Sequence, residues 1–157
     1  MKAIALLAAA LAAIALAGCG GSSDGGRLSK SDYKAKLRAL GHEAQQAQAD
    51  VQKGLSAKTV AELHARLLAF AATSQHIGDE VAALKPPKDA EAANAELANG
   101  EHDSAKAVRD AAAAIKDAKT PAAAIAYLQK SLANAKGAHE LDDGLTKLRK
   151  LGYTTGS

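Results

Sequence analysis

Five histidines, His42, His64, His76, His102 and His139, and the acids Glu101 and Asp142 are the residues whose types could hold a metal ion or a haem. Their spacing does not repeat any metal-ligand pattern. No Glu-x-x-His occurs, which removes the usual di-iron carboxylate bundle, and no His-Glu-x-x-His occurs either. Cys19 is the only cysteine, so there is no haem-attachment motif and no internal disulfide. The only methionine is Met1, so methionine clusters that handle copper are absent too. No phosphate-cradling glycine loop is present.

What these residues can do depends on the elements that carry them. Ser29 with Asp32 reads as the cap of a first helix over about 30–54, whose stripe is Tyr33, Leu37, Leu40, Ala44, Ala47 and Val51. Thr59 with Glu62 caps a second, and Val60, Leu63, Leu67, Phe70, Ser74, Ile77, Val81 and Leu84 step three and four without a slip. Pro86-Pro87 ends it. A third helix over about 88–118 carries Ala90, Ala93, Leu97, Ser104, Val108, Ala111 and Ile115, a thin stripe that requires a close neighbour. Thr120-Pro121 opens a fourth. Its stripe of Ile125, Leu128, Leu132 and Ala135 changes side before Leu141, Leu145 and Leu148, with Gly137 and Gly144 bracketing the shift. A kink, a short interruption or a new packing partner is expected there.

Short connections imply antiparallel neighbours. The spacing predicts an all-α fold, an antiparallel up-down-up-down four-helix bundle over residues 29–152, followed by a tail at 153–157 that is expected to be loose apart from Tyr153. An elongated three-helix coil with a detached first helix is the other arrangement the stripes permit.

On these helices the first four histidines point away from the apolar stripes, and His139 falls near one. Antiparallel stacking puts His42, His102 and His139 at similar heights, with Glu101 or Asp142 close by. A metal or haem site built there would use His139, Glu101 and Asp142. Outward residues on different helices diverge, so solvated surface histidines plus one partly buried one are the preferred reading, with no metal and no cofactor. Glu101 lies near the apolar face of its helix. The expectation is a stem on the core and a head in water. Leu68 points off its stripe.

The N-terminus follows another logic. Met1-Lys2 is a short positive start, Ala3 to Leu16 is apolar, and Ala17-Gly18 are small. That is the layout of a secretory leader, ending short of the roughly 20 apolar residues a membrane span needs. Gly20 to Gly26 is a Gly/Ser tether, with residues 19–28 as the connecting segment; about eight residues reach roughly 15–17 Å.

Leu16-Ala17-Gly18-Cys19 resembles the bacterial lipoprotein signal at all four positions. The resemblance implies cleavage after residue 18, a thioether-linked diacylglycerol on Cys19 and often an N-acyl (palmitate-type) chain. Each buried CH₂ contributes about 0.8 kcal/mol, so two or three chains anchor firmly. In a Gram-negative cell, Gly20 after the cysteine departs from the common inner-membrane retention pattern. The mature part is similar to small helical lipoproteins of actinobacterial type through Leu28-Ser29-Lys30-Ser31-Asp32-Tyr33, Leu84-Lys85-Pro86-Pro87 and Leu148-Arg149-Lys150-Leu151-Gly152-Tyr153. Many of those carry extra cysteines, and this chain does not. The group implies an envelope protein without an assigned activity and supplies no catalytic residues.

Composition bounds the function further. Loss of residues 1–18 removes only the charge of Lys2, so the formal +3 becomes +2. That is too weak a field to recruit nucleic acid. Aromatics make up 3% and tryptophan is absent, so alanine, glycine and short aliphatics must fill the core. The expected protein is a lipid-anchored, non-enzymatic helical module on the extracellular or periplasmic face of the membrane, binding an envelope protein partner or acting as a spacer. The alternative is a carrier of a small ligand, metal or haem in the bundle interior.

Overall fold

The computed structural model describes residues 26–133 and 135–153. The leader, Cys19 and the greater part of the tether lie outside the described residues, as does the end of the tail. The described chain is all-helical: α1 (Lys30–Gly54), α2 (Val60–Ala83), a 3-10 turn (Lys88–Ala90), α3 (Glu91–Ile115), α4 (Pro121–Leu132) and α5 (Lys136–Lys150).

The capping residues act as their types dictate. Ser29 Oγ accepts from Asp32 N at 3.1 Å, Thr59 Oγ1 from Glu62 N at 3.1 Å, and Thr120 Oγ1 from Ala123 N at 3.2 Å. Each satisfies an amide that the helix itself leaves free. Asp89 and Lys88 fall in the 3-10 turn, so α3 begins at Glu91, three residues later than the stripe suggests.

α1 lies chiefly along α2, α2 along α3, and α3 along α5, with α4 against α3 and α2. Tyr33, near the start of α1, shares an apolar cluster with Val81 at the end of α2. Val51, near the end of α1, shares a second cluster with Leu63 at the start of α2. Asn94 of α3 donates to the Val81 carbonyl, while Ile115 sits with Leu63, so α3 runs back along α2. α4 and then α5 run back along α3: Leu128 clusters with Ile115, Gly137 lies against Ser104 and Gly144 against Leu97.

Among the described residues five α-helices thus stand where the stripes predict four. α4 ends at Leu132 and α5 begins at Lys136, ahead of Gly137, so Gly137 and Gly144 sit inside α5. These glycines do not bend the chain. They let two backbones approach. A Cβ on Gly137 would lie 2.4 Å from Ser104 N, and one on Gly144 3.0 Å from Leu97 N. Gly100 matches them from α3, where a Cβ would meet Leu141 N at 2.7 Å. That closeness is what the alanine-rich stripe of α3 requires.

Two boundaries shift. Tyr153 is 2% exposed and belongs to the core, not to a tail. Gly152 adopts φ +72°, and α5 closes with Gly152 N donating to Arg149 O and Tyr153 N to Leu148 O. This is a Schellman close, which turns Tyr153 back onto Leu148. At the other end, Leu28 N donates to Lys85 O at 2.8 Å, and Arg27 bonds Pro86 O and pairs with Glu91. Arg27 and Leu28, ahead of the expected start at residue 29, are therefore bonded to the helical part.

Candidate functional site

Between the two apolar clusters lies a belt of buried polar side chains: Gln48 of α1, Ser74 of α2, and Glu101 and Ser104 of α3. Ser74 belongs to the second helix's stripe and Ser104 to the third's, so the heptad steps carry both inward. Glu101 is three residues from Ser104 and four from Leu97, hence on the same side of α3. Among the described residues Ser104 Oγ has no hydrogen-bond partner.

Glu101 is 8% exposed, a correction to the expectation that its head would reach water. The wheel places it beside the stripe, but packing around α3 covers it. Its surroundings are Leu37, Leu40, Gly41 and Ala44 of α1, Ile77 and Val81 of α2, Leu97 of α3 and Leu145 of α5. These line a small cleft of about 10 Å³, space for one water. Burial pushes the Glu101 carboxyl up to about 7, with a hydrogen bond from the Ser74 hydroxyl pulling the other way. Among the described residues no lysine, arginine or histidine pairs with it: the ion pairs of α3 with its neighbours use Glu96, His102 and Asp103 instead. A second cleft of about 30 Å³ lies between α1 and α4 over Leu67 and Val108, with Gln48 and Phe70 at its edge.

The remaining candidates do not join Glu101. His139 and Asp142 are exposed on α5, so the expected place of His139 near a stripe is corrected. That expectation extends the phase of α4 through the interruption, and the interruption resets it. His42 and His76 are exposed, His76 Nε2 lying 3.9 Å from Glu43. His64 is half-buried. His102 packs over Gly78 and places Nε2 3.0 Å from Asp79 Oδ1. Among the described residues no three of His, Cys, Asp and Glu assemble as metal ligands.

On the surface, Lys136 bridges Asp103 and Glu140 at 2.7 and 2.8 Å, and both hold its ammonium above the usual lysine range. Lys147 pairs with Glu96. These pairs fasten α5 to α3 rather than forming a site. Leu68 is 41% exposed, as its angle implies, and Tyr127 of α4 is 47% exposed. The letters Gly21-Ser22-Ser23-Asp24-Gly25 match Gly-x-Ser-x-Gly. A nucleophile elbow needs a strand before its turn; the string lies outside the described residues, and these contain no strand.

Comparison with protein-family models, with curated proteins and with solved structures finds no match for this chain.

Proposed function

We propose that this is a lipid-anchored protein of the cell envelope. Residues 1–18 are removed as a leader, Cys19 carries the lipid, and a short Gly/Ser tether leads to the helical part. That part is an up-down-up-down bundle whose fourth position is shared by α4 and α5. It is non-enzymatic and serves to bind an envelope partner or to space one from the bilayer, on the extracellular or periplasmic side. The observation that carries the reading is Leu16-Ala17-Gly18-Cys19 at the end of an apolar run that begins just after Lys2. No helix of the described residues is long and apolar enough to cross a membrane, so in this reading attachment rests on Cys19.

The test is Cys19→Ser in the native host, followed by fractionation and intact mass. The wild-type chain should sediment with membranes and weigh more than its cleaved polypeptide by a diacylglycerol with or without a further acyl chain. The variant should leave the membrane fraction. Retention of Cys19→Ser on membranes after a salt wash would overturn the anchor.

A second reading, a carrier of a small ligand between the helices, is favoured by one observation: the apolar cleft that holds Glu101.

A further inference from the structure

The cleft between α1 and α5 has an unusual floor. Leu40 and Ala44 on one side and Leu145 on the other are half-buried and form its mouth, while Glu101 lies at the bottom. The walls are aliphatic and carry no charge. A carboxylate buried this deeply is costly unless a cation or strong donors meet it. Among the described residues the donor that meets it is the Ser74 hydroxyl. No titratable or charged side chain of α1, α2, α3 or α5 lines the cleft beside Glu101. The nearest sequence neighbour that titrates, His102, is turned to Asp79. A leucine at this position would have completed the apolar core without that cost.

We propose that the α1–α5 cleft binds a small aliphatic amine, its ammonium paired with Glu101 and its hydrocarbon chain lying against Leu40, Ala44, Ile77, Leu97 and Leu145. The ligand supplies the positive charge that the described residues do not, and the leucines take the apolar part. α1 is the wall that yields: it lies chiefly along α2, and its ties to α3 and the end of α5 gather at its first turn, at Lys30 and Tyr33, away from Leu40 and Ala44. The closed cleft holds only one water's volume. The raised titration of Glu101 fits an acid waiting for a counter-ion: an ammonium would bring it back down. This inference rests on the carrier reading and is independent of the lipid anchor.

The experiment uses the full chain in detergent micelles, titrated with hexan-1-amine and, separately, with hexan-1-ol, near pH 8 and near pH 5.5. Binding is followed by two-dimensional NMR of the leucine methyls. Alkyl amines, like lysine, stay protonated at both pH values, whereas Glu101 is ionised only at the higher. The amine should bind about tenfold more tightly than the alcohol near pH 8, the gain from a hydrogen-bonded charge pair. That preference should disappear near pH 5.5 and in Glu101→Gln. If amine and alcohol bind alike to the wild type, the cleft is a carrier site but the charge recognition is wrong. If neither shifts the methyls, the carrier reading fails with it. A preference that survives in Glu101→Gln also overturns the proposal. Should Glu101→Gln not fold, as read by circular dichroism, Ala44→Phe closes the mouth from α1 and must abolish amine binding. Undiminished binding in that variant overturns the site.

Discussion

Tyr33 and Tyr153 meet edge to face, their ring centroids 5.3 Å apart and their planes at 77°. Each hydroxyl is spoken for: Tyr33 donates to Asn94 Oδ1 at 2.9 Å and Tyr153 to Asp89 Oδ1 at 2.6 Å. Asn94 in turn donates to the Val81 carbonyl near the end of α2, which also accepts from Leu84 N. Lys30 Nζ lies 4.7 Å from the Tyr153 ring centre and donates to Leu151 O. Two of the three tyrosines thus join the first helix, the α2–α3 turn and the end of α5. Tyr153→Ala should therefore destabilise the chain by about 3 kcal/mol, the usual loss for a buried aromatic. Tyr153→Phe, which loses only the bond to Asp89, should cost about 1 kcal/mol. Urea unfolding followed by circular dichroism checks both. A loss under about 1 kcal/mol for Tyr153→Ala would return it to the tail.

Glycine at the α3–α5 contact is testable by contrast. Gly137→Ala gains helix propensity of about 1 kcal/mol but drives a methyl into backbone atoms of α3, so a net loss of about 2 kcal/mol is expected. Gly54→Ala meets only the flexible side chain of Arg66 and should be near neutral. Thermal melts of the pair read this directly. Equal melting temperatures would mean that α5 can stand off from α3.

The cleft between α1 and α4 lowers the cost expected for the ring beside it, relative to a fully enclosed core residue. Leu63, with no exposure, should lose about 3–4 kcal/mol as Leu63→Ala. Phe70 is the more conspicuous residue in the sequence but sits half-buried beside the larger cleft. Phe70→Ala should cost about 1–2 kcal/mol, below the range of a fully buried ring. Denaturant midpoints that reverse this order would place Phe70 inside.

Glu101 predicts a pH dependence. In the unfolded chain its carboxyl releases a proton near 4.5; folded, near 7. Between those values the folded form holds the extra proton, so stability is full below about pH 4.5, falls as pH rises, and levels above about pH 7. From pH 5 to pH 8 the loss is about 2–3 kcal/mol. Glu101→Gln, uncharged throughout, should lack this loss and be the more stable protein at pH 8. Parallel urea midpoints for the two proteins across that range would mean that the carboxyl is in water.

The caps and stripes were legible because they are local. Ser29, Thr59 and Thr120 cap through amides three residues away, and a stripe is only a spacing. The seven positions predicted for the third helix are all buried. Glu101 was legible as a candidate but not as a buried one, since its cover comes from α1 and α5, which no wheel of α3 contains. The wheel misplaces His139 because it carries the phase of α4 past Leu132, whereas α5 starts afresh at Lys136. Of the expected kink, interruption or new partner an interruption is found, and the bracketing Gly137 and Gly144 serve close approach. Tyr153 did leave a signal, a glycine followed by an apolar residue after a helix, which is the mark of a Schellman close.

The clamp at Arg27 and Leu28 has a mechanical consequence. A pull on the chain from the side of residue 26 loads the Leu28–Lys85 backbone bond and the grip of Arg27 on Pro86 and Glu91 before it reaches Lys30. The force passes into the turn between α2 and α3, not along α1. The wall of the Glu101 cleft is thereby spared the strain of such a pull.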